Sequence, residues 1–184
     1  MKFTFSLTAA LFSIAQVSAM ALAEHNMLEA RAPGQTCGDP KTALPLLRAW
    51  NGGIVDHFYT TNAAEMQRAV SSLGYVAEGT TGYVFSKQQT GTVPFFRLYH
   101  PGVRNHFYTT NAAERDNAVN RLGYASEGVV GYVYPNTACG GLPLYRSYHG
   151  GGQDHFYTMS AAERDSAKGG GWAYEGIAAY TFPY

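Results

Sequence analysis

The chain has 184 residues, and its 13 lysines and arginines balance its 13 aspartates and glutamates, so the formal net charge is zero. This balance argues against nucleic acid or an anionic membrane as the main partner, because both attract strongly basic surfaces. Charged residues make up only 14% of the sequence, which instead contains 14 tyrosines and 21 glycines. Such a composition suits strand-rich extracellular glycan binders better than cytosolic enzymes.

The N-terminus has the features of a secretory signal peptide. Lys2 is followed by an apolar run over residues 3–17, which is too short to span a bilayer as a mature helix. Small residues then offer cleavage after Ala19 or, in a better match to the A-x-A pattern, after Ala23. We therefore expect an extracellular, secreted protein, and the rest of the sequence contains no further apolar segment that could span a membrane.

These features predict a signal peptide over 1–23, a pro-segment or flexible tail over 24–36, and a single repeat domain over 37–184. A stretch of about 150 residues is enough for one shared core and too short for three independent ones. Because the chain is expected to be secreted, Cys37 and Cys139 are predicted to form a disulfide. Two unpaired buried thiols are the alternative.

One segment of twelve residues occurs three times in the chain. DHFYTTNAAEMQ begins at Asp56, NHFYTTNAAERD at Asn105 and DHFYTMSAAERD at Asp154. Aligned on this segment, the chain divides into three units, at about 43–86, 92–135 and 141–184.

Each unit is predicted to contain a strand, a second strand, a helix and a third strand. The runs PLLRAW, PFFRLYH and PLYRSYH indicate half-buried strands, and HFYTT or HFYTM follows a glycine-containing turn as the hairpin partner. Asn62 and its counterparts cap a helix, with a glutamate three residues later reaching back. In the first unit this helix places Ala69, Val70 and Leu73 on one face. In the third unit SAKGGGW shortens it, and the final strand of each unit is kinked at a Glu-Gly step.

This order predicts a strand-rich α+β fold in which three pseudo-symmetric β-β-α-β repeats of about 45 residues close around a threefold axis. A unit of this size does not bury its apolar face alone, so the three would share one core. A β-trefoil is the alternative, but trefoil units are all strand, whereas each unit here has a helix signal.

The repeated pattern YR.Y....DHFYTT...E......GY..EG..GYV resembles a family of secreted fungal and bacterial repeats that is catalogued as a domain of unknown function. The resemblance covers nearly all of the chain after its N-terminal segment. In bacteria, similar repeats are appended to secreted hydrolases and adhesin-like proteins, so the resemblance implies an accessory, surface-binding or carbohydrate-binding role. The first unit departs from the pattern, with Trp50-Asn51 in place of Tyr99-His100 and Tyr148-His149.

Repetition favours binding over catalysis, because several similar weak sites gain avidity, whereas an active site needs different groups that converge once. A sugar site needs a flat aromatic face beside planar polar groups that form paired hydrogen bonds. Each unit offers an arginine and an aromatic residue on one strand, with an acid or amide and a histidine at the hairpin end. The candidate ligand-binding residues are Arg48, Trp50, Asp56, His57, Arg97, Tyr99, Asn105, His106, Arg146, Tyr148, Asp154 and His155.

Structural roles remain open for some of these residues and their neighbours. Arg48 and Glu78, like their counterparts, would then form one internal ion pair per unit. The phenylalanines of HFY would belong to the core. Three histidines near an axis could bind zinc, but nothing in the sequence places them there, and no metal or other cofactor is predicted.

The sequence thus predicts a lectin-like domain with up to three weak, equivalent sites for an extracellular glycan or cell-wall polysaccharide. A non-catalytic structural or protein-interaction module, such as a secreted effector or an adhesin-like protein, is the alternative. An enzyme is not favoured, because the sequence contains no G-x-S-x-G, H-E-x-x-H or P-loop pattern. A glycoside hydrolase that uses Glu78, Glu127 or Glu175 is the least favoured reading.

Overall fold

The computed structural model describes residues 36–183. The predicted signal peptide over 1–23 lies outside this range, and so does the predicted tail over 24–36 except for its last residue. Within the described part, nine strands form three antiparallel sheets of three strands each. In every sheet the first strand lies in the middle, between its hairpin partner and the third strand.

The elements follow the same order in each part of the chain. The first sheet contains β1 (Leu44–Asn51), β2 (Asp56–Thr60) and β3 (Val76–Val84). The second contains β4 (Val93–His100), β5 (Asn105–Thr109) and β6 (Ala125–Val133), and the third contains β7 (Leu142–His149), β8 (Asp154–Thr158) and β9 (Trp172–Thr181). The helices are α1 (Ala63–Ser72), α2 (Ala112–Arg121) and α3 (Ala161–Ala167), and short 3-10 helices span Pro40–Thr42, Thr137–Cys139 and Lys168–Gly170.

The structure corrects the predicted fold class. Of the described residues, 47% lie in strands and only 24% in helices, because each helix has at most ten residues beside three strands; the assignment to the α+β class is therefore wrong. The structure also does not support the predicted closure around a threefold axis or the alternative β-trefoil. Within residues 36–183, backbone ladders run inside three separate small sheets, and backbone pairing between sheets is limited to isolated bridges, such as Tyr83 with Phe182.

The helix starts were predicted correctly, but the buried face of α1 was not. The Asn62 side chain accepts hydrogen bonds from the backbone N–H groups of Ala64 and Glu65, as an N-cap residue does. Ala69 is buried, whereas Val70 and Leu73, which were expected on the same inner face, are 41% and 54% exposed. The helix therefore packs through a narrow stripe, with few buried side chains.

The third strand of each sheet is kinked where the Glu-Gly step was expected to bend it. Gly79 has a φ of 97°, and its counterparts Gly128 and Gly176 have φ values of 92° and 121°. A left-handed conformation of this kind favours glycine. The register of the first sheet shifts beside Gly79, between Arg48 and Ala49, and the other two sheets shift at the corresponding positions.

Three tyrosines hold the sheets together in the middle of the core. Tyr59, Tyr108 and Tyr157 are at most 1% exposed, and their rings pack edge to face with centroids 5.3–5.5 Å apart. Each hydroxyl receives the backbone N–H and donates to the backbone C=O of a tyrosine in another sheet, at 2.7–2.9 Å. These six hydrogen bonds satisfy buried backbone groups that no strand ladder pairs.

A second aromatic cluster lies beside the predicted disulfide, which is confirmed. Phe85, Tyr134 and Phe182 pack edge to face, and Cys37 and Cys139 are bonded against them. The bond joins the start of the described chain to a position 102 residues later. None of the helices between residues 36 and 183 is long and apolar enough to cross a membrane.

Candidate binding grooves between the sheets

Where two sheets meet, an arginine lies between two glutamates. In the first of these seams, the guanidinium of Arg97 on β4 donates from both terminal nitrogens to the carboxylate of Glu65 on α1, at 2.9 and 2.8 Å. Its Nε lies 2.9 Å from Oε2 of Glu127 on β6. Arg97 therefore joins its own sheet to the helix of the preceding unit through a bidentate pair, the strongest common geometry for these groups.

The other two seams repeat this arrangement. In the second seam Arg146 binds Glu114 of α2, and its Nε lies 2.9 Å from Glu175. In the third seam Arg48 binds Glu163 of α3 and lies 2.9 Å from Glu78. The internal pair that was considered for Arg48 and Glu78 is thus present. Each arginine also has a partner in another unit, which sequence reasoning did not find.

The glutamate on the helix does not reach back to the cap residue as expected. The carboxylate of Glu65 accepts a hydrogen bond from the hydroxyl of Thr60, which in turn accepts one from the N–H of Asn62. Burial raises the pKa of Glu65, but the hydrogen bonds from Arg97 and Thr60 outweigh it, so this pKa lies below its usual value. The carboxylate is therefore ionised and fixed in orientation at neutral pH.

The arginine is held just as firmly. Burial lowers the pKa of Arg97, but the bond to Glu65 and the neighbouring charges more than compensate, so the pKa lies above its ordinary value. Its guanidinium carbon lies 5.2 Å from the centre of the Phe58 ring, which belongs to another sheet. Phe58 is 5% exposed, in agreement with the core role considered for the HFY phenylalanines.

A groove opens on each seam beside these ions. The first groove has a volume of about 530 Å³ and lies between the start of α1 and β6, with Thr61, Arg68 and Val129 among its lining residues. The second, of about 480 Å³, lies between the start of α2 and β9. The third, of about 270 Å³, lies between the start of α3 and β3. All three are lined by the arginine and both glutamates of their seam.

The carboxylates in these grooves are partly solvated, whereas the arginine is covered. In the first groove the side chains of Glu65 and Glu127 are 37% and 32% exposed, and that of Arg97 only 14%. Glu127 contacts Arg97 through Oε2, and within residues 36–183 no hydrogen bond reaches its Oε1. The same holds for Oε1 of Glu78 and Glu175. Each groove therefore contains a carboxylate oxygen that can accept a further hydrogen bond, while the other oxygen of the same carboxylate is ion-paired with the arginine.

The structure divides the predicted site residues into two groups. Arg48, Arg97 and Arg146 line the grooves. The predicted acids and amide at the hairpin ends are instead buried, with 0% exposure of Asp56, Asn105 and Asp154. Asp56 accepts from the backbone N–H of His106, at 2.7 Å, contacts its Nδ1, at 2.6 Å, and accepts from the Tyr75 hydroxyl. These side chains connect one unit to the next.

The histidines lie over these buried groups, with different partners. His57 contacts Asp154 through Nδ1 at 2.7 Å, whereas Nδ1 of His155 accepts from the amide of Asn105 at 3.2 Å. Burial, together with the charge of Arg146, lowers the pKa of His155 to about 3. His155 is therefore neutral at physiological pH. Among the described residues, no group of three metal-binding side chains forms a metal site.

The predicted aromatic platforms pack on the histidines and do not line the grooves. Trp50 lies 4.4 Å from the ring of His57, Tyr99 4.7 Å from His106, and Tyr148 4.8 Å from His155, measured between ring centroids. All three rings are half-buried. In each unit, the arginine therefore lines a groove and the aromatic residue of the same strand packs on a histidine, although the sequence predicted that both belong to one site.

A family model described as a domain of unknown function, DUF5648, matches residues 45–182. No curated protein and no solved structure matches.

Proposed function

The chain belongs to the DUF5648 family, whose description assigns no activity, and we propose from its geometry that it is a non-catalytic carbohydrate-binding domain with up to three weak sites in the seam grooves. The free Oε1 of Glu78, Glu127 or Glu175 carries this proposal, because it offers a carboxylate acceptor for a sugar hydroxyl beside a bound arginine. The ion pair fixes this oxygen before a ligand arrives, which reduces the ordering cost of binding.

The rest of the groove lining has the composition that a sugar needs. In the first groove, Thr61 and Asn62 add short polar side chains, and the 43% exposed Val129 adds an apolar contact for the face of a pyranose ring. In the third groove, the hydroxyl of Thr81 is buried and has no hydrogen-bond partner within residues 36–183. A buried hydroxyl of this kind gains from a polar ligand.

The helix glutamates of the first and third grooves are not suited to act as a catalytic acid. A glycosidase needs one carboxylic acid with a raised pKa to protonate the leaving oxygen. The pKa values of Glu65 and Glu163 lie below the usual value, because the hydrogen bonds from Arg97 and Arg48 outweigh burial. These glutamates therefore serve as hydrogen-bond acceptors at neutral pH.

Secretion is part of the proposal. The Cys37–Cys139 disulfide suits an oxidising compartment, and the first 23 residues have the pattern of a signal peptide. The resemblance of the repeated pattern to secreted fungal and bacterial repeats supports the same location. The partner would then be an extracellular glycan or a cell-wall polysaccharide.

A structural or protein-interaction module remains the rival. It is favoured by the observation that Arg48, Arg97 and Arg146 each join two units, so that these residues would be needed for folding even without a ligand. For this reason an arginine variant does not test binding cleanly. A test must fill the grooves and leave the ion pairs in place.

The experiment compares two triple variants with the wild type on a glycan array. Thr80→Arg, Val129→Arg and Ile177→Arg together would place long side chains on exposed strand positions at the grooves, where they would occupy the acceptor oxygens. The control variant adds the same three charges on the same strands, four residues earlier in the chain, at Val76, Ala125 and Ala173.

We expect the wild type and the control to retain the same glycans, and the groove variant to lose at least about tenfold in binding, as when one well-formed polar contact is lost. Circular dichroism would show that all three proteins are folded. The absence of glycan binding by the folded wild type, or equal binding by the groove variant, would reject the proposal and favour the rival.

A further inference from the structure

The first groove differs from the other two by one arginine. Arg68 on α1 lines the first groove and also an adjoining pocket of about 200 Å³, which shares Arg97 and its two glutamates with the groove. It makes no ion pair or hydrogen bond with any residue of the described range 36–183, whereas Arg97 has two carboxylate partners. The guanidinium of Arg68 is therefore available to a ligand.

The corresponding positions in the other helices are uncharged. Asn117 occupies this position in α2, and Ser166 in α3. The arginines near the start of the other two helices are already paired with an aspartate: Arg115 with Asp116, and Arg164 with Asp165. Only α1 therefore brings an unpaired arginine to this point of its seam.

This difference changes the charge of the groove. The first groove is lined by two guanidinium groups and two carboxylates, so its formal charge is zero. The second and third grooves are each lined by one guanidinium group and two carboxylates, so each has a formal charge of −1. An anionic ligand is repelled by the second and third grooves, whereas in the first it meets a free arginine.

We infer that the three grooves have different specificity, and that the first groove binds a sugar with a carboxylate, such as a uronic acid residue, whereas the other two bind neutral sugars. This inference rests on the proposed function. The planar guanidinium of Arg68 would form paired hydrogen bonds to the sugar carboxylate, and the ring hydroxyls would face Glu127 and Thr61. A longer glycan bound in the first groove could extend along α1 into the adjoining pocket.

The test uses a glycan array with neutral, uronic acid-containing and sulfated oligosaccharides. Arg68→Gln removes the free guanidinium, and Arg121→Gln, at the exposed end of α2, removes the same charge outside the grooves. We expect Arg68→Gln to weaken binding of uronic acid-containing glycans on the order of tenfold, as for a lost hydrogen bond to a charged group, with neutral glycans unchanged. Arg121→Gln should bind as the wild type does.

A gain-of-function variant makes the test sharper. Asn117→Arg adds to the second groove the charge that Arg68 gives to the first, so calorimetric titration with the best uronic acid-containing glycan should change from about one site to about two. Raising the salt concentration should weaken this binding and leave neutral glycans unaffected.

The possible failures are distinguishable. If the wild type binds neutral glycans but no uronic acid-containing glycan, or binds only sulfated glycans among the charged ones, this inference is wrong and carbohydrate binding stands. Equal losses for neutral and acidic glycans in Arg68→Gln would also overturn it. If the folded wild type binds no glycan at all, the proposed function itself fails.

Discussion

Replacement of Tyr108 by phenylalanine removes a single buried hydroxyl from the contact between two sheets. That hydroxyl accepts from the backbone N–H of Tyr59 at 2.8 Å and donates to its C=O at 2.9 Å. Burial raises the pKa of Tyr108 well above its ordinary value, so the hydroxyl keeps its proton and continues to donate. The ring that remains in Tyr108→Phe fills almost the same volume, so the loss is confined to hydrogen bonding.

The expected cost follows from the two backbone groups that lose their partner. Each buried unsatisfied group costs about 1–3 kcal/mol, so the two groups that lose their partner in Tyr108→Phe should lower the free energy of unfolding by roughly 2–6 kcal/mol. At about 2–4 °C per kcal/mol for a domain of this size, that loss corresponds to a melting temperature lower by roughly 4–24 °C. Thermal unfolding followed by circular dichroism, with urea titration at 25 °C, measures both quantities.

A matched control separates this effect from the chemistry of tyrosine in general. Tyr145→Phe makes the same change at a half-buried position, where the hydroxyl has no hydrogen bond to any residue in 36–183. It should leave stability nearly unchanged. If Tyr108→Phe changes stability no more than Tyr145→Phe, the tyrosine hydrogen bonds do not hold the sheets together and this account of the core is wrong.

Three further results are expected. Arg97→Ala should lower the free energy of unfolding by roughly 1–3 kcal/mol in a urea titration. This value is lower than for a fully buried ion pair, because the two glutamates that bind Arg97 are partly exposed to solvent. Unchanged stability would mean that the ion pairs of Arg97 do not hold the units together. The pKa of His155 is about 3 in the folded protein against about 6.5 when unfolded, so the unfolded state binds more protons between these values. The free energy of unfolding should therefore decrease as the pH is lowered from about 6.5 to about 3, by up to about 1.4 kcal/mol per pH unit. His155→Gln should flatten this dependence. Reduction of the Cys37–Cys139 bond should destabilise the protein by up to about 4.7 kcal/mol, and the double serine variant should melt at the same temperature with or without reductant.

Local signals in the sequence were enough to identify most elements. The alternation in PLLRAW corresponds to β1, the Asn62 cap to the start of α1, and the break at SAKGGGW to the short α3. The Glu-Gly kink is present in all three sheets. Each of these features depends on residues close in the chain, which is why propensity and turn chemistry predicted them.

Contacts between units were not predictable in the same way. Glu65 had a sufficient local explanation as a helix-capping residue, so nothing indicated that it binds Arg97, 32 residues later. Similarly, Asp56 was expected in a binding site at the hairpin end, but it is buried and contacts His106, 50 residues away. Because the same motif occurs three times, the sequence does not reveal whether a side chain contacts its own unit or the next. The regular spacing of these residues indicated that they have equivalent roles, but it did not indicate whether their partners lie in the same unit or in a neighbouring one.

The most direct test of the proposed grooves is to locate the bound sugar. Two-dimensional ¹H–¹⁵N NMR of the protein, titrated with the strongest neutral glycan from the array, reports a shift for each backbone amide near the ligand. The largest shifts are expected at Thr110 and Met159 and their neighbours, in the second and third grooves, which are inferred to bind neutral sugars. Shifts concentrated instead at the hairpin turns beside Trp50, Tyr99 and Tyr148, with the groove amides unchanged, would contradict this expectation.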